Sequence, residues 1–160
     1  MAASNHSSDI HWPAGFSPDE AHGFFQRRAV LQSSPERAFT LLTEVSAWPT
    51  RSPGVSEVSS EALAQFFKVQ WYGHPFEVFV GENKPPYRLG WLGIGAGVQL
   101  YQAWLIAPAD DGTHTLSANV VRSSAPKDLD VASATWLEKL DDLWTAQIRN
   151  MADGRPWRVI

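Results

Sequence analysis

The residues of this sequence whose side chains could act in catalysis or bind a metal do not form a recognisable catalytic or metal-binding motif. The 5 histidines lie at positions 6, 11, 22, 74 and 114, and their separations match no metal-ligand spacing. No G-x-S-x-G motif marks a hydrolase nucleophile, and the absence of cysteine excludes thiol catalysis and Cys-based zinc or iron–sulfur sites. We therefore expect no metal and no other cofactor, and we assign no catalytic residue.

Two polar residues, Gln102 and Arg122, stand among apolar positions where a ligand could meet them. Gln102 is a candidate to orient a ligand carbonyl, with a structural hydrogen bond as the alternative. Arg122 is a candidate to face a ligand carboxylate or phenolate, with an ion pair at the rim as the alternative. Tyr101 lies on the opposite strand face from Gln102, so only one of these two points inward.

Tryptophan is the compositional outlier, with 8 residues in a chain of 160. Such rings either fill a core or line an apolar pocket, and the sequence leaves both options open. The predicted ligand-binding residues combine aromatic, apolar and polar positions: Trp71, Trp91, Gln102, Trp104, Arg122, Trp136 and Leu140.

The bulk composition limits the class of protein and the kinds of partner. A content of 44% hydrophobic and 19% charged residues is typical of a globular domain. The net charge of -4, without a Lys/Arg run, argues against nucleic acid as a partner. No segment approaches the length of an apolar membrane span. The N-terminal segment lacks the features of a secretory signal, so we expect a cytoplasmic protein.

Three parts of the chain are expected: an N-terminal arm over 1–20, a single domain over 21–154 and a C-terminal tail over 155–160. The arm is polar and interrupted by proline, and we expect it to be mobile unless Trp12 and Phe16 dock on the domain.

One strand and one helix open the domain. The strand is predicted over Phe24–Gln32. Ser34 is a typical N-cap before Pro35 and Glu36, which favour the first turn of a helix. The helix is predicted to end at Trp48-Pro49, because the residue before proline disfavours the α region.

An apolar–polar alternation with a period of two predicts six further strands, over 55–60, 65–72, 76–82, 87–94, 98–107 and 114–124. The links between them are short, which requires antiparallel neighbours. On strand 98–107 the face with Val98, Leu100, Gln102, Trp104 and Ile106 is expected to be concave. On the next strand, the residues expected on the same concave face are Leu116, Ala118, Val120 and Arg122.

The last element is a helix predicted from about residue 129 to residue 151. Its apolar stripe consists of Trp136, Leu137, Leu140, Leu143, Trp144, Ile148 and Met151. A stripe this wide must pack on the sheet, which makes the fold class α+β.

The order and spacing of three motifs resemble the START/Bet v 1-like (SRPBCC) superfamily, in its polyketide cyclase/dehydrase-like branch. The motifs are Ser34-Pro35-Glu36-Arg37-Ala38-Phe39, then Val45-Ser46-Ala47-Trp48-Pro49 with Ser52-Pro53-Gly54-Val55, then Trp104-Leu105-Ile106-Ala107-Pro108 with Asp111-Gly112-Thr113. With the C-terminal helix, the match covers about residues 24–152.

The resemblance implies a helix-grip fold, in which a curved antiparallel sheet of about seven strands wraps around a long C-terminal helix. In that family the cavity between sheet and helix takes lipids, sterols, polyketides or other apolar compounds. Most members lack a transferable catalytic motif, so the fold does not define a reaction.

Three functions stay open. The first is binding of an apolar small molecule, of lipid, polyketide or aromatic type, in an internal cavity of roughly 300–1,000 Å³. The second is a polyketide cyclase, aromatase or dehydratase that acts by positioning its substrate, and a buried ionisable group in the cavity would favour it. The third is a partner-binding stress or regulatory module, with a filled core and an exposed apolar patch. The sequence also leaves open whether the protein forms a homodimer.

Overall fold

A computed structural model describes residues 9–123 and 129–160, with side chains from residue 134 onward in the C-terminal helix. Residues 1–8 of the predicted arm, and Ser124 at the end of the last predicted strand of the sheet, lie outside the described residues.

Eight strands and three α-helices are the main elements of the described chain. The strands are β1 (Gly23–Leu31), β2 (Val55–Val58), β3 (Phe66–Trp71), β4 (His74–Lys84), β5 (Arg88–Gly95), β6 (Val98–Ala109), β7 (Gly112–Ser123) and β8 (Trp157–Val159). The helices are α1 (Pro35–Leu42), α2 (Trp48–Arg51) and α3 (Leu129–Met151).

The strands form one antiparallel sheet in the order β2-β3-β4-β5-β6-β7-β1-β8, curved around α3. This confirms the predicted α+β fold with a long C-terminal helix gripped by the sheet. The eighth strand, β8, was not predicted. It pairs with β1 at the edge of the sheet, where Ala29 is opposite Val159.

The predicted start of α1 is confirmed and its predicted end is wrong. The Ser34 hydroxyl accepts a hydrogen bond of 3.1 Å from the Arg37 backbone N–H. The helix ends at Leu42, and the Thr43 hydroxyl donates to the Phe39 carbonyl at 2.9 Å. Trp48-Pro49 begins α2 instead, because proline in a first turn needs no intrahelical N–H bond.

The stripe on α3 packs onto the concave face of the sheet. Its buried members are Trp136, Leu140, Trp144, Ile148 and Met151, while Leu137 and Leu143 are half-buried. Two hydrogen bonds fix the end of the helix. The Ser33 hydroxyl donates to the Met151 carbonyl at 2.6 Å, and the Asn150 amide donates to the Leu41 carbonyl at 3.1 Å.

A second apolar cluster covers the convex face of the sheet. It contains Ile10, Phe16, Tyr101, Ala103, Leu105, Leu116, Ala118 and Val120. The described part of the arm lies on this face, with the rings of Trp12 and Phe16 5.9 and 6.2 Å from that of Tyr101. Polar contacts add to this docking, because Arg88 donates to the Asp9 carbonyl and His11 contacts Glu82 at 2.7 Å.

The predicted orientation of β7 is therefore wrong. Leu116, Ala118 and Val120 belong to the convex cluster, whereas Ser117 and Asn119 lie opposite Trp104 and Gln102 on the concave face. The predicted orientation of β6 is confirmed, since its concave residues pack in the inner core. The alternating apolar residues of β7 lie on the convex face, which the arm covers. Because side chains alternate between the two faces of a strand, assigning this set to the wrong face reverses the orientation of every side chain in the strand.

In the described part of the chain, no helix has the length and apolar character needed to cross a membrane.

The buried face of α3 yields a stability prediction. Leu140→Ala and Trp144→Ala should each lower the free energy of unfolding by about 2–5 kcal/mol, because each leaves a cavity in the core. Glu138 is exposed, so Glu138→Ala should cost below about 0.5 kcal/mol. Urea denaturation of the three variants measures these differences, and three equally mild variants would contradict the packing of α3.

The docked arm yields a prediction of pH dependence. Burial, and then the nearby Glu82 charge, raise the pKa of Tyr101 to about 12 from 10.0. The unfolded chain then loses this proton first, so the stability that Tyr101 contributes declines as pH rises from about 10 to about 12. Urea midpoints measured at about pH 9 and about pH 11 should differ less in Tyr101→Phe than in the wild type. An equal decline in both proteins would contradict the buried position of Tyr101.

Candidate functional site

A cavity of about 80 Å³ lies between the concave face of the sheet and α3. Strands β2 to β6 supply most of its wall, and α2 and α3 close it. The lining residues are Trp48, Val55, Val69, Trp71, Phe76, Val78, Trp91, Gly93, Leu100, Gln102, Leu140, Leu143 and Gln147.

The indole N–H groups of the three lining tryptophans are already hydrogen-bonded. Trp71 donates to the Pro53 carbonyl at 2.9 Å, Trp48 to the Leu42 carbonyl at 3.3 Å and Trp91 to the Gln102 Oε1 at 2.9 Å. Since the polar edges of these rings are satisfied by protein atoms, the rings offer apolar surface to a guest molecule.

Gln102 and Gln147 form a reciprocal amide pair in the wall. The Gln102 amide N–H donates to the Gln147 Oε1 at 3.0 Å, and the Gln147 amide N–H donates to the Gln102 Oε1 at 3.0 Å. Both residues are buried. An amide nitrogen carries two N–H groups, so each member of the pair keeps one further donor. The pair is thus the polar element of an otherwise apolar lining.

Three buried polar atoms of the inner core have no hydrogen-bond partner in the described chain: Trp104 Nε1, Asn119 Oδ1 and Trp144 Nε1. Asn119 lies directly opposite Gln102 across the β6–β7 ladder, and Trp104 follows Gln102 on the same strand face. Trp144 precedes Gln147 by one turn of α3. Unpaired buried groups of this kind are rare in folded proteins.

Four of the predicted ligand-binding residues line the cavity, namely Trp71, Trp91, Gln102 and Leu140. Trp104 and Trp136 lie in the same core but not among the lining residues. The ring of Trp136 packs 5.3 Å from that of Trp71.

Arg122 lies on the convex face, away from the cavity. Its guanidinium donates to the Gly15 carbonyl at 2.6 Å and lies 5.8 Å from the centre of the Phe16 ring. The expectation that Arg122 shares a face with Gln102 is wrong, because it has the outward orientation of Val120 on β7. Its contacts hold the arm rather than a ligand in the cavity.

Sequence reasoning did not identify Trp48, Gln147 or Asn119. Gln147 follows Leu140 by seven residues and Trp144 by three, which places it on the buried stripe of α3. A polar residue at such a position signals a buried hydrogen bond. Asn119 could be found only from the register of β6 and β7, and Trp48 only from the fold.

The cavity is smaller than the expected range of roughly 300–1,000 Å³. The rings of Trp48, Trp71 and Trp91 occupy much of the space, and the Trp48 and Trp91 rings are in edge contact at 5.2 Å. Trp48 and Leu143 are half-buried lining residues, so they mark the side on which the cavity approaches solvent.

No group of three or more His, Asp or Glu residues in the described ranges is placed to hold a metal ion.

Solved structures similar to this chain share its fold at low sequence identity. A hypothetical protein from Helicobacter pylori matches 92% of this chain over 98% of its own, with a TM-score of 0.72 and 19% identity. The di-domain ARO/CYC StfQ from the steffimycin biosynthetic pathway matches 81% of this chain over 50% of its own, with a TM-score of 0.68 and 15% identity. A START superfamily protein from Mycobacterium smegmatis matches 79% of this chain over 97% of its own, with a TM-score of 0.59 and 14% identity.

No protein-family model and no curated protein matches the sequence. At these identities the structural likeness shows the fold, and the sheet order and α3 agree with it. The helix-grip fold that the resemblance to the START/Bet v 1-like superfamily implied is thereby confirmed for this chain.

Proposed function

We propose that this protein binds an apolar small molecule in the cavity between the concave sheet face and α3. The observation that carries the proposal is the lining, which is aromatic or aliphatic except for Gly93 and the Gln102–Gln147 pair. Removing an apolar ligand from water into such a lining is favourable, at about 25 cal/mol for each Å² buried.

A bound ligand of appreciable size requires the mouth of the cavity to widen. The present volume of about 80 Å³ is smaller than that of an engineered cavity of about 150 Å³ that takes benzene. Trp48 is the side chain best placed to move, because α2 is short and the Trp48 indole is held by one hydrogen bond of 3.3 Å. Rotation of this ring would connect the cavity with solvent.

A cyclase or aromatase acting by substrate positioning is the second candidate. The fold likeness to the ARO/CYC StfQ favours it. In this chain Tyr101 and Arg122 lie on the convex face, so stabilisation of an enolate would depend on the remaining amide N–H donors of Gln102 and Gln147. Recovery of a cyclised product from a linear poly-β-ketone thioester mimic would distinguish this activity from simple binding.

A partner-binding role is favoured by one surface feature. Phe66 and Phe79 form an exposed cross-strand pair with ring centres 5.1 Å apart. The limited cavity volume is compatible with this alternative as well. Variants of this pair therefore serve as controls for cavity binding.

Binding of N-phenyl-1-naphthylamine, followed by probe fluorescence and tryptophan quenching, tests the proposal. Gly93→Val should weaken binding about 10-fold, because the side chain fills the cavity. A β-carbon at Gly93 would lie 3.7 Å from Phe76 Cδ2, an ordinary contact, so the variant should fold. Trp48→Ala should strengthen binding, since it opens the mouth.

The matched control is Phe66→Ser combined with Phe79→Ser, which should leave probe affinity unchanged. Loss of binding in this control, with wild-type affinity in Gly93→Val, would place the probe on the exposed pair and contradict the proposal.

A further inference from the structure

We propose that the groove between α2 and α3 binds a carboxylate head group of the ligand whose apolar end occupies the cavity. This inference rests on the proposed binding function and deepens it, because it defines the chemical class of the ligand. That class is an amphipathic acid, with an apolar body and one anionic end.

The groove is an open space of about 490 Å³ on the surface of the protein. Residues 50–53, at the end of α2 and directly after it, form one wall. The other wall consists of Asp142, Thr145, Ala146 and Arg149 of α3. Most of these side chains are polar or charged, whereas the lining of the cavity is mainly aromatic and aliphatic.

The groove and the cavity share the chain segment from Trp48 to Val55 as a wall. Ser52 and Pro53 line the groove, while Trp48, Val55 and Trp71 line the cavity. The Ser52 backbone N–H donates to the Trp48 carbonyl at 2.8 Å, and the Val55 N–H donates to the Ser52 carbonyl at 3.3 Å. The Trp71 indole N–H donates to the Pro53 carbonyl at 2.9 Å. One chain segment therefore separates the two spaces.

The same adjacency exists on α3. Leu143 lines the cavity, and Ala146, one helical turn further along, lines the groove. Trp48 and Leu143 are the half-buried residues at the solvent side of the cavity. An opening made by rotation of the Trp48 ring would therefore lead towards the groove.

The two volumes favour a ligand that occupies both spaces. The cavity, at about 80 Å³, holds only a small part of a ligand, and the groove, at about 490 Å³, has room for the remainder. A molecule that extends from one to the other passes from apolar to polar surroundings. Its buried end must then be apolar, and its outer end can carry a charge at low desolvation cost.

Two arginines on opposite walls give the groove its capacity to bind an anion. Within the described residues, the Arg149 guanidinium has no ion-pair or hydrogen-bond partner. Arg51 Nη1 lies 3.6 Å from Glu44 Oε1, and these side chains are 41% and 42% exposed, so the pair is weak. Both guanidinium groups therefore keep N–H donors for a carboxylate, which arginine binds in a bidentate geometry.

The hydroxyl groups of the lining threonines do not compete for this role. The Thr50 hydroxyl donates to the Ala47 carbonyl at 2.9 Å, and the Thr145 hydroxyl donates to the Asp141 carbonyl at 3.0 Å. A hydroxyl has one proton to donate, so neither group has a donor left for an anion. Recognition of the head group then depends on the two arginines.

Asp142 is the acidic residue of the lining and stands at the other end of the groove. It precedes Arg149 by two helical turns, about 10 Å along the axis, which is comparable with the screening length of a physiological salt solution. Burial, and then the Asp142 charge, raise the pKa of Tyr72, which places Asp142 near that side chain. The basic end of the groove is therefore the end that suits an anion.

The test compares decanoate with decanol, which have the same tail and differ in the head group. Each displaces N-phenyl-1-naphthylamine at about pH 7, where a carboxylate is ionised. Arg51→Gln and Arg149→Gln should each reduce the preference for decanoate over decanol about 5-fold. Arg149→Lys should retain more of the preference than Arg149→Gln, because the charge is kept. Both arginines are exposed, so these variants should fold.

The matched control is Arg158→Gln. It removes the same charge from β8, where Arg158 forms a surface ion pair with Asp111 outside the groove. This variant should keep the wild-type preference. If it loses as much as Arg149→Gln does, the preference reflects the net charge of the protein and the head-group site is wrong.

Acetate separates the head group from the tail. In nuclear magnetic resonance spectra, decanoate should shift the Nε–H signals of Arg51 and Arg149, and acetate at the same concentration should not, because it lacks the tail that binds in the cavity. Equal shifts with acetate would make the groove an anion site independent of the cavity and contradict the single amphipathic ligand.

Two further results would overturn the inference in distinguishable ways. If decanoate and decanol both displace the probe with the same ratio in every variant, the head-group site is wrong and the binding proposal stands. If neither compound displaces the probe, the binding proposal fails and the head-group site fails with it.

Discussion

The packing of one face of α3 against the sheet determines where this protein has space. The helix contacts β7, β1 and α1, and hydrogen bonds from Ser33 and Asn150 fix its C-terminal end. On this side the core is filled. Strands β2 to β6 curve away from the other side of α3, and the cavity lies between them. The curvature of the sheet and the fixed position of the helix together leave a volume that only side chains or a ligand can fill.

The spacing at which apolar residues recur in the sequence was sufficient to predict most of the fold. The stripe on α3 repeats at helical spacing, and Leu140, Trp144 and Ile148 are buried as that spacing requires. The strands from β2 to β7 follow a period of two between short turns. The short β8 was missed because a strand of three residues has too few positions to show a period.

The orientation of β7 was not predictable from the same pattern, because both faces of this strand are buried. Its convex residues lie under the arm, and its concave residues include Ser117 and Asn119. A rule that places apolar residues inward therefore selects the wrong face of β7. The same error places Arg122 on the concave face. Cavity size was equally inaccessible, since it depends on how the rings of Trp48, Trp71 and Trp91 are rotated rather than on their number.

Binding in the cavity implies that the folded protein retains a small molecule, and native mass spectrometry of the purified protein tests this most directly. The purified protein should give a species heavier than the bare chain, whose extra mass is released on unfolding as a mainly apolar compound. Incubation of the stripped protein with an apolar extract should restore the heavier species. A bare-chain mass alone, before and after such incubation, would contradict it.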